Sequence, residues 1–188
     1  EVSLSVDRIK ELYRQFPASQ EIALRLARGL VNLTIRLTIR QETAQEVSLS
    51  VARIEELYRQ FPATQEIAEA FARGLVSLTN RQETAQERAC SVDRIEELYR
   101  QFPASQEIAL EFAKGLVNLT VEQETAREVS LSVARIEELY RQFPGSQEIA
   151  LEFVDGLQNL MKVISDEALI EELKSKIEEL RRRFGLNN

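Results

Sequence analysis

The chain contains no histidine and no tryptophan, and only one cysteine, one methionine, four prolines and six glycines among 188 residues. Without histidine, the commonest general base and metal ligand is missing. A single cysteine makes neither a disulfide framework nor a thiolate zinc site. The expectation is therefore a protein that is not an enzyme and uses no cofactor or metal. Long hydrophobic runs are also missing. None approaches the roughly 18 residues of a membrane span, and no signal peptide opens the chain, so no membrane partner is expected and the expected location is the cytoplasm. Cations are outnumbered, 24 Lys and Arg against 31 Asp and Glu, for a net charge of −7. Nucleic-acid binders carry a basic footprint, so nucleic acid is not an expected partner.

What the chain does have is itself, several times over. The phrase Glu-Leu-Tyr-Arg-Gln-Phe-Pro occurs four times, ending at Pro17, Pro62, Pro103 and Pro144, with spacings of 45, 41 and 41 residues. A glycine follows each proline by twelve residues, at Gly29, Gly74, Gly115 and Gly156. Aligning 46–86 with 87–127 leaves 12 differences, so 41 − 12 = 29 positions are identical. Self-similarity at such a period is the signature of repeat architectures.

Each unit reads as two helices. Thr43-Ala-Gln-Glu46, Thr84-Ala-Gln-Glu87 and Thr125-Ala-Arg-Glu128 are capping boxes that would start one helix, with Thr120-Val-Glu-Gln123 a rival start one turn earlier in its copy. From Thr125 the apolar positions Val129, Val133, Ile136, Leu139, Tyr140 and Phe143 mark one buried face, and Pro144 ends the helix. The other helix starts at Ser19, Thr64, Ser105 or Ser146 and buries residues such as Ile108, Phe112, Leu116 and Leu119. Gly115 lies inside it. A mid-helix glycine costs about 1 kcal/mol relative to alanine, so its return in every copy predicts a close helix neighbour.

The order Phe112-x-x-Gly115-Leu116-x-x-Leu119, followed by a helix with Ser132, Ile136, Leu139 and a terminal Pro144, resembles the tetratricopeptide repeat. Here Gly and Leu are transposed, Leu139 stands where a small residue is usual, and the period is 41 rather than 34. HEAT-type repeats have a similar period, but the Pro-x-Ser/Thr-Gln-Glu junction favours the tetratricopeptide reading. The resemblance implies an all-α fold, a right-handed superhelical α-solenoid of stacked antiparallel helix pairs. It would comprise one repeat domain, 1–188: a partial repeat 1–17, helix pairs 18–62, 63–103 and 104–144, and a last repeat with a capping helix, 145–188.

The ends and exceptions are informative. Glu1-Val-Ser-Leu-Ser-Val aligns with Glu46-Val-Ser-Leu-Ser-Val, so the chain opens inside a capping box, as if cut from a longer array. At the other end 175–185 aligns with 134–144, but Tyr has become Arg181 and Pro has become Gly185, which suits a polar solenoid cap. Four extra residues within Thr34–Arg40, about one helical turn, predict a longer first helix. Cys90 aligns with Leu4, Leu49 and Leu131 and is expected to be a small buried hydrophobe. Glu55-Glu56, Glu96-Glu97 and Glu137-Glu138 repeat on an outer face, which marks a solvated surface rather than a catalytic pair. Tyr13, Tyr58, Tyr99 and Tyr140 read as inter-repeat core.

In tetratricopeptide arrays the first helix of each pair lines a concave groove. The resemblance places Leu24, Arg28, Val31, Arg73, Val76, Leu110, Lys114 and Val117 there, within rows that also include Glu69 and Leu151, Asp155, Gln158, and Thr34, Thr79, Thr120 and Met161. The implied function is a non-catalytic scaffold holding a protein or peptide segment, acidic with apolar anchors. The clamp that chaperone-binding relatives use for an acidic C-terminus is only partly matched, because Ala27, Ala72 and Ala113 replace polar residues, so chaperone binding is not expected. The alternative is a structural module that self-assembles end to end.

Overall fold

A computed structural model describes residues 2–40 and 43–186, and among these there are nine α-helices and no strand. The odd-numbered helices are α1 (Val2–Gln15), α3 (Ala44–Gln60), α5 (Ala85–Gln101), α7 (Ala126–Gln142) and α9 (Glu167–Phe184). The even-numbered ones are α2 (Gln20–Ile39), α4 (Gln65–Thr79), α6 (Gln106–Thr120) and α8 (Gln147–Val163). Helix starts follow local chemistry. Thr43, Thr84 and Thr125 each accept a hydrogen bond from the backbone N–H of the glutamate three residues on, and each glutamate carboxylate accepts one in return. In the Thr125 copy the capping box therefore wins over the start at Thr120. Ser19, Ser105 and Ser146 cap the even helices through the N–H three residues later. Thr64 makes no such bond, and its hydroxyl instead accepts from Gln20 Nε2 at 3.0 Å. The extra turn lengthens α2 to 20 residues, against 15 in α4 and α6.

The two helix types occupy different layers. Eleven of the 15 residues of α4 are buried, whereas α5 buries four of 17, so the even helices form the interior. Successive even helices approach within 8 Å between Cα atoms, while among the described residues successive odd helices do not. The repeated glycines explain how each odd helix reaches its even partner. A Cβ at Gly115 would lie 3.2 Å from Ile95 Cδ1 and 3.3 Å from Val92, and Gly74 and Gly156 face Ile54 and Ile136 as closely. Gly29 is roomier, with Val6 at 3.4 Å.

Odd helices meet through a ladder of long side chains. Arg94 pairs with Glu55 at 2.6 Å and lies 5.0 Å from the Phe71 ring centre, and Arg135 repeats the arrangement with Glu96 and Phe112. Tyr13, Tyr58 and Tyr99 donate hydroxyl hydrogen bonds to Gln60, Gln101 and Gln142 of the next copy. Burial raises the pKa of all three hydroxyls, in the direction that favours the protonated donor form. The tyrosines are thus half-buried junction residues, packed against the core.

Two sequence expectations fail. Glu55, Glu96 and Glu137 are not on a solvated face but half-buried between copies, paired with Arg94, Arg135 and Lys176. Cys90 is exposed, as are Leu49 and Leu131, because this position lies on the outer face of the odd helices, and the Leu4 side chain lies outside those described. The neighbouring substitution has a structural role. Arg88, where other copies have Val47 and Val129, donates to the carbonyls of Gln82 and Asn118 and pairs with Glu122 at 3.3 Å.

The glycine geometry predicts opposite signs at equivalent positions. Gly29→Ala is expected to stabilise the chain by roughly 0.5 to 1 kcal/mol, because the methyl meets only ordinary contacts and the helix loses its most flexible residue. Gly115→Val is expected to destabilise it by about 2 kcal/mol, because Ile95 and Val92 must both move. Urea denaturation of the two variants measures both.

Candidate functional site

The even helices turn one face away from the odd layer, and the eight expected groove residues lie along it. Arg28 and Arg73 are exposed, and Lys114 is half-exposed. Leu24, Leu110 and Val117 are half-buried against the core. Val31 and Val76 are buried, with 4% and 8% of their surface exposed, so they act as floor rather than as free anchors. Thr34, Thr79 and Thr120 are interior. Their hydroxyls donate to backbone carbonyls of their own helices, and Thr79 and Thr120 also accept from Asn118 and Asn159 of the next even helix. The structure gathers Arg28, Val31 and Arg73 around one open cleft of about 340 Å³, whose other walls are Asn32, Glu66, Glu69 and Ala70. Leu24, Val76, Leu110, Lys114 and Val117 are not part of its lining.

The expected basic row is already engaged. Glu111 is buried at 4% exposure, and its Oε1 lies 3.0 Å from Lys114 Nζ and 3.6 Å from Arg73 Nε. A buried carboxylate needs such partners, since desolvation would otherwise disfavour its charge. Two cations of the row therefore serve one internal anion. Glu69 is similarly occupied, accepting from Ser105 Oγ at 3.0 Å and Gln65 Nε2 at 2.8 Å.

One helix further on, the sign changes. Glu152 on α8 aligns with Glu111, and its pKa is pushed up to about 7 by burial and by the nearby carboxylates of Asp155 and Glu111, against the opposing pull of Lys114. Burial also raises Asp155, which Arg181 and Lys162 partly offset. Along α2, α4, α6 and α8 one position reads Arg25, Ala70, Glu111, Glu152, and the position three residues on reads Arg28, Arg73, Lys114, Asp155. The face runs from basic at α2 to acidic at α8. Sequence reasoning singled out only the second row. The first was legible in principle, because it changes from copy to copy within a helix that is otherwise nearly constant.

Among the described residues no cluster of three or more Cys, Asp and Glu side chains is arranged to hold a metal ion, and no helix is long and apolar enough to cross a membrane. No protein-family model matches the chain, and neither does any curated protein or any solved structure.

The raised pKa of Glu152 has a consequence for stability. A carboxyl that binds its proton more tightly when folded contributes most when protonated, so its contribution falls as pH rises through about 7. Between pH 6 and pH 8 the chain is expected to lose about 1 kcal/mol that the Glu152→Gln variant keeps. Chemical denaturation of both proteins at the two pH values checks it.

Proposed function

We propose that the chain is a non-catalytic scaffold of the tetratricopeptide-like kind. Its helix pairs would stack into a right-handed superhelical α-solenoid, and the face of the even helices would be a concave groove for a peptide or helical segment. Two features support the architecture. Helix pairs recur with near-identical caps, and even helices pack closely while odd helices meet only through long side chains. A stack whose layers differ in spacing curves toward the tighter one, which puts the even layer inside.

The observation that carries the binding reading is the charge gradient across this face. In a row of solvated charges serving solubility alone, the sign would not be expected to change progressively from copy to copy. Here Arg25 and Arg28 on α2 give way to Arg73 flanked by Glu66 and Glu69 on α4, then to Glu111 paired with Lys114, and then to Glu152 and Asp155. A segment lying across the four helices would be recognised in one direction, with carboxylates toward α2 and cations toward α8. Half-buried Leu110 and Val117 and exposed Leu151 supply apolar contact between them. An acidic partner thus fits only the basic end of the groove.

The test is a random peptide library selected on the immobilised chain. Selected sequences are expected to place acidic and basic residues at opposite ends of an apolar stretch. Arg28→Glu with Arg73→Glu should weaken their binding roughly tenfold or more, as read by fluorescence anisotropy. Enriched peptides without charge polarity, or with affinity indifferent to these substitutions, would defeat the reading.

A further inference from the structure

In the odd layer one glutamate per junction holds two cations. Glu55 pairs with Arg59 of its own helix and with Arg94 of the next odd helix, both at 2.6 Å. Glu96 does the same with Arg100 and Arg135, and Glu137 with Arg141 at 3.0 Å and Lys176 at 2.8 Å. A ring of the intervening even helix completes each arrangement. Phe71, Phe112 and Phe153 have their ring centres 5.0 Å from the charged groups of Arg94, Arg135 and Lys176. The junction cation thus lies between a carboxylate and an aromatic face, and a guanidinium is shaped to engage both.

Between α1 and α3 both partners are different residues. Lys10 stands at the position of Glu55, Glu96 and Glu137, and Leu26 at that of Phe71, Phe112 and Phe153. The cations of this junction therefore part company. Lys10 turns to Asp7 at 3.0 Å, and Arg14, the counterpart of Arg59, turns to Glu11 at 3.2 Å in a well-exposed pair. Arg53, the counterpart of Arg94 and Arg135, is exposed and has no hydrogen-bond or ion-pair partner among the described residues. All three cations line a cleft of about 410 Å³ walled by α1, α2 and α3, with Tyr13 beside them and Leu26, Leu30 and Leu57 as its floor. That volume falls in the range of small-molecule sites, roughly 300 to 1,000 Å³. Its acids are Asp7, engaged with Lys10, and Glu56, which adds to the effect of burial in raising the Tyr13 hydroxyl pKa. The aligned cleft between α5 and α7 contains Glu96, Tyr99, Arg100, Phe112 and Arg135, so there the chain supplies both the anion and the ring.

We propose that the cleft between α1 and α3 is a binding site for a small aromatic carboxylate. The ligand carboxylate stands between Arg53 and Arg14, where Glu55, Glu96 and Glu137 stand in the later copies, and the ligand ring lies over Leu26 against the Arg53 guanidinium, as the phenylalanines do. Arg53 offers two parallel N–H donors to the two carboxylate oxygens. Arg14 can join at little cost, because the pair it leaves is exposed and such pairs are weak. Lys10 adds positive charge, and the leucine floor with the Tyr13 ring gives a flat apolar body its contact. A small dianion such as phosphate is less suited, since it makes no use of that floor and since Asp7, Glu11 and Glu56 offset much of the charge of the three cations. The site belongs to the odd layer and does not depend on what the even-helix face binds.

The test titrates the full chain with 2-naphthoate and follows its backbone amides by two-dimensional NMR. The expected result is saturable binding of one 2-naphthoate per chain, with a Kd of about 1 mM or below and signal shifts confined to α1, α2 and α3. Arg53→Gln should weaken binding about tenfold or more. Lys10→Glu should do the same, because it restores the carboxylate of the later copies as an internal partner for Arg53, and combining it with Leu26→Phe should abolish binding in a chain whose spectrum is still that of the folded protein. Arg135→Gln, at the cleft where Glu96 and Phe112 already serve, should change the affinity less than about twofold. The uncharged 2-naphthylmethanol and inorganic phosphate should each bind about tenfold more weakly or worse. The proposal is overturned by no saturable binding up to about 10 mM, by phosphate or 2-naphthylmethanol binding as tightly as 2-naphthoate, by shifts spread over all the helices, or by an affinity indifferent to Arg53→Gln and Lys10→Glu.

Discussion

The close approach of each odd helix to the even helix that follows it sets the geometry on which the rest depends. It is possible because every even helix carries a glycine where its partner lays a valine and an isoleucine, down to 3.1 Å from the place a Cβ would take at Gly156. The helical cost of that glycine, about 1 kcal/mol, is offset by van der Waals contact along the pair. Once the pair is that close, the even helix is nearly surrounded, which is why α4 buries most of its residues and α5 only one face. Close pairs also decide how neighbouring pairs meet. The even helices touch closely enough for direct Asn–Thr hydrogen bonds and the Arg73–Glu111 pair, and the odd helices are left to span a wider gap with Arg, Glu, Tyr and Gln.

That gap makes the odd layer the place where junctions differ. Arg94 and Arg135 each find a glutamate on the preceding odd helix, but at the first junction that position is Lys10, which pairs with Asp7 at 3.0 Å and leaves Arg53 exposed. At the last junction Lys176 and Arg183 take over the roles of Arg and Gln.

The repeated unit was legible because its signals are local. A capping box needs only a threonine and a glutamate three residues apart, and the structure forms it at Thr43, Thr84 and Thr125. The recurring Gly115 pointed to a close neighbour without naming it, and Val92 and Ile95 are that neighbour. Alignment with leucines does not imply burial at Cys90, because the position faces solvent in Leu49 and Leu131 as well. The expected basic row was half legible. Its residues share a face, and the Glu111–Lys114 pair follows from their spacing of three, but the approach of Arg73 to the same carboxylate is a contact between α4 and α6 that no spacing within one helix reveals.

By itself, then, the sequence determined the helices, their ends and their repetition, since these rest on backbone capping and on periodicities of three or four residues. The absence of histidine and the single cysteine follow from copying one unit that lacks both. Tertiary structure decided everything that depends on distance between copies: which valines are floor, which cations are already paired, and that Glu152 sits where burial and two carboxylates hold its proton to about pH 7. Charge and burial act through space across residues some 40 apart in the chain, and only the packing of one copy on the next brings those residues within a few ångströms.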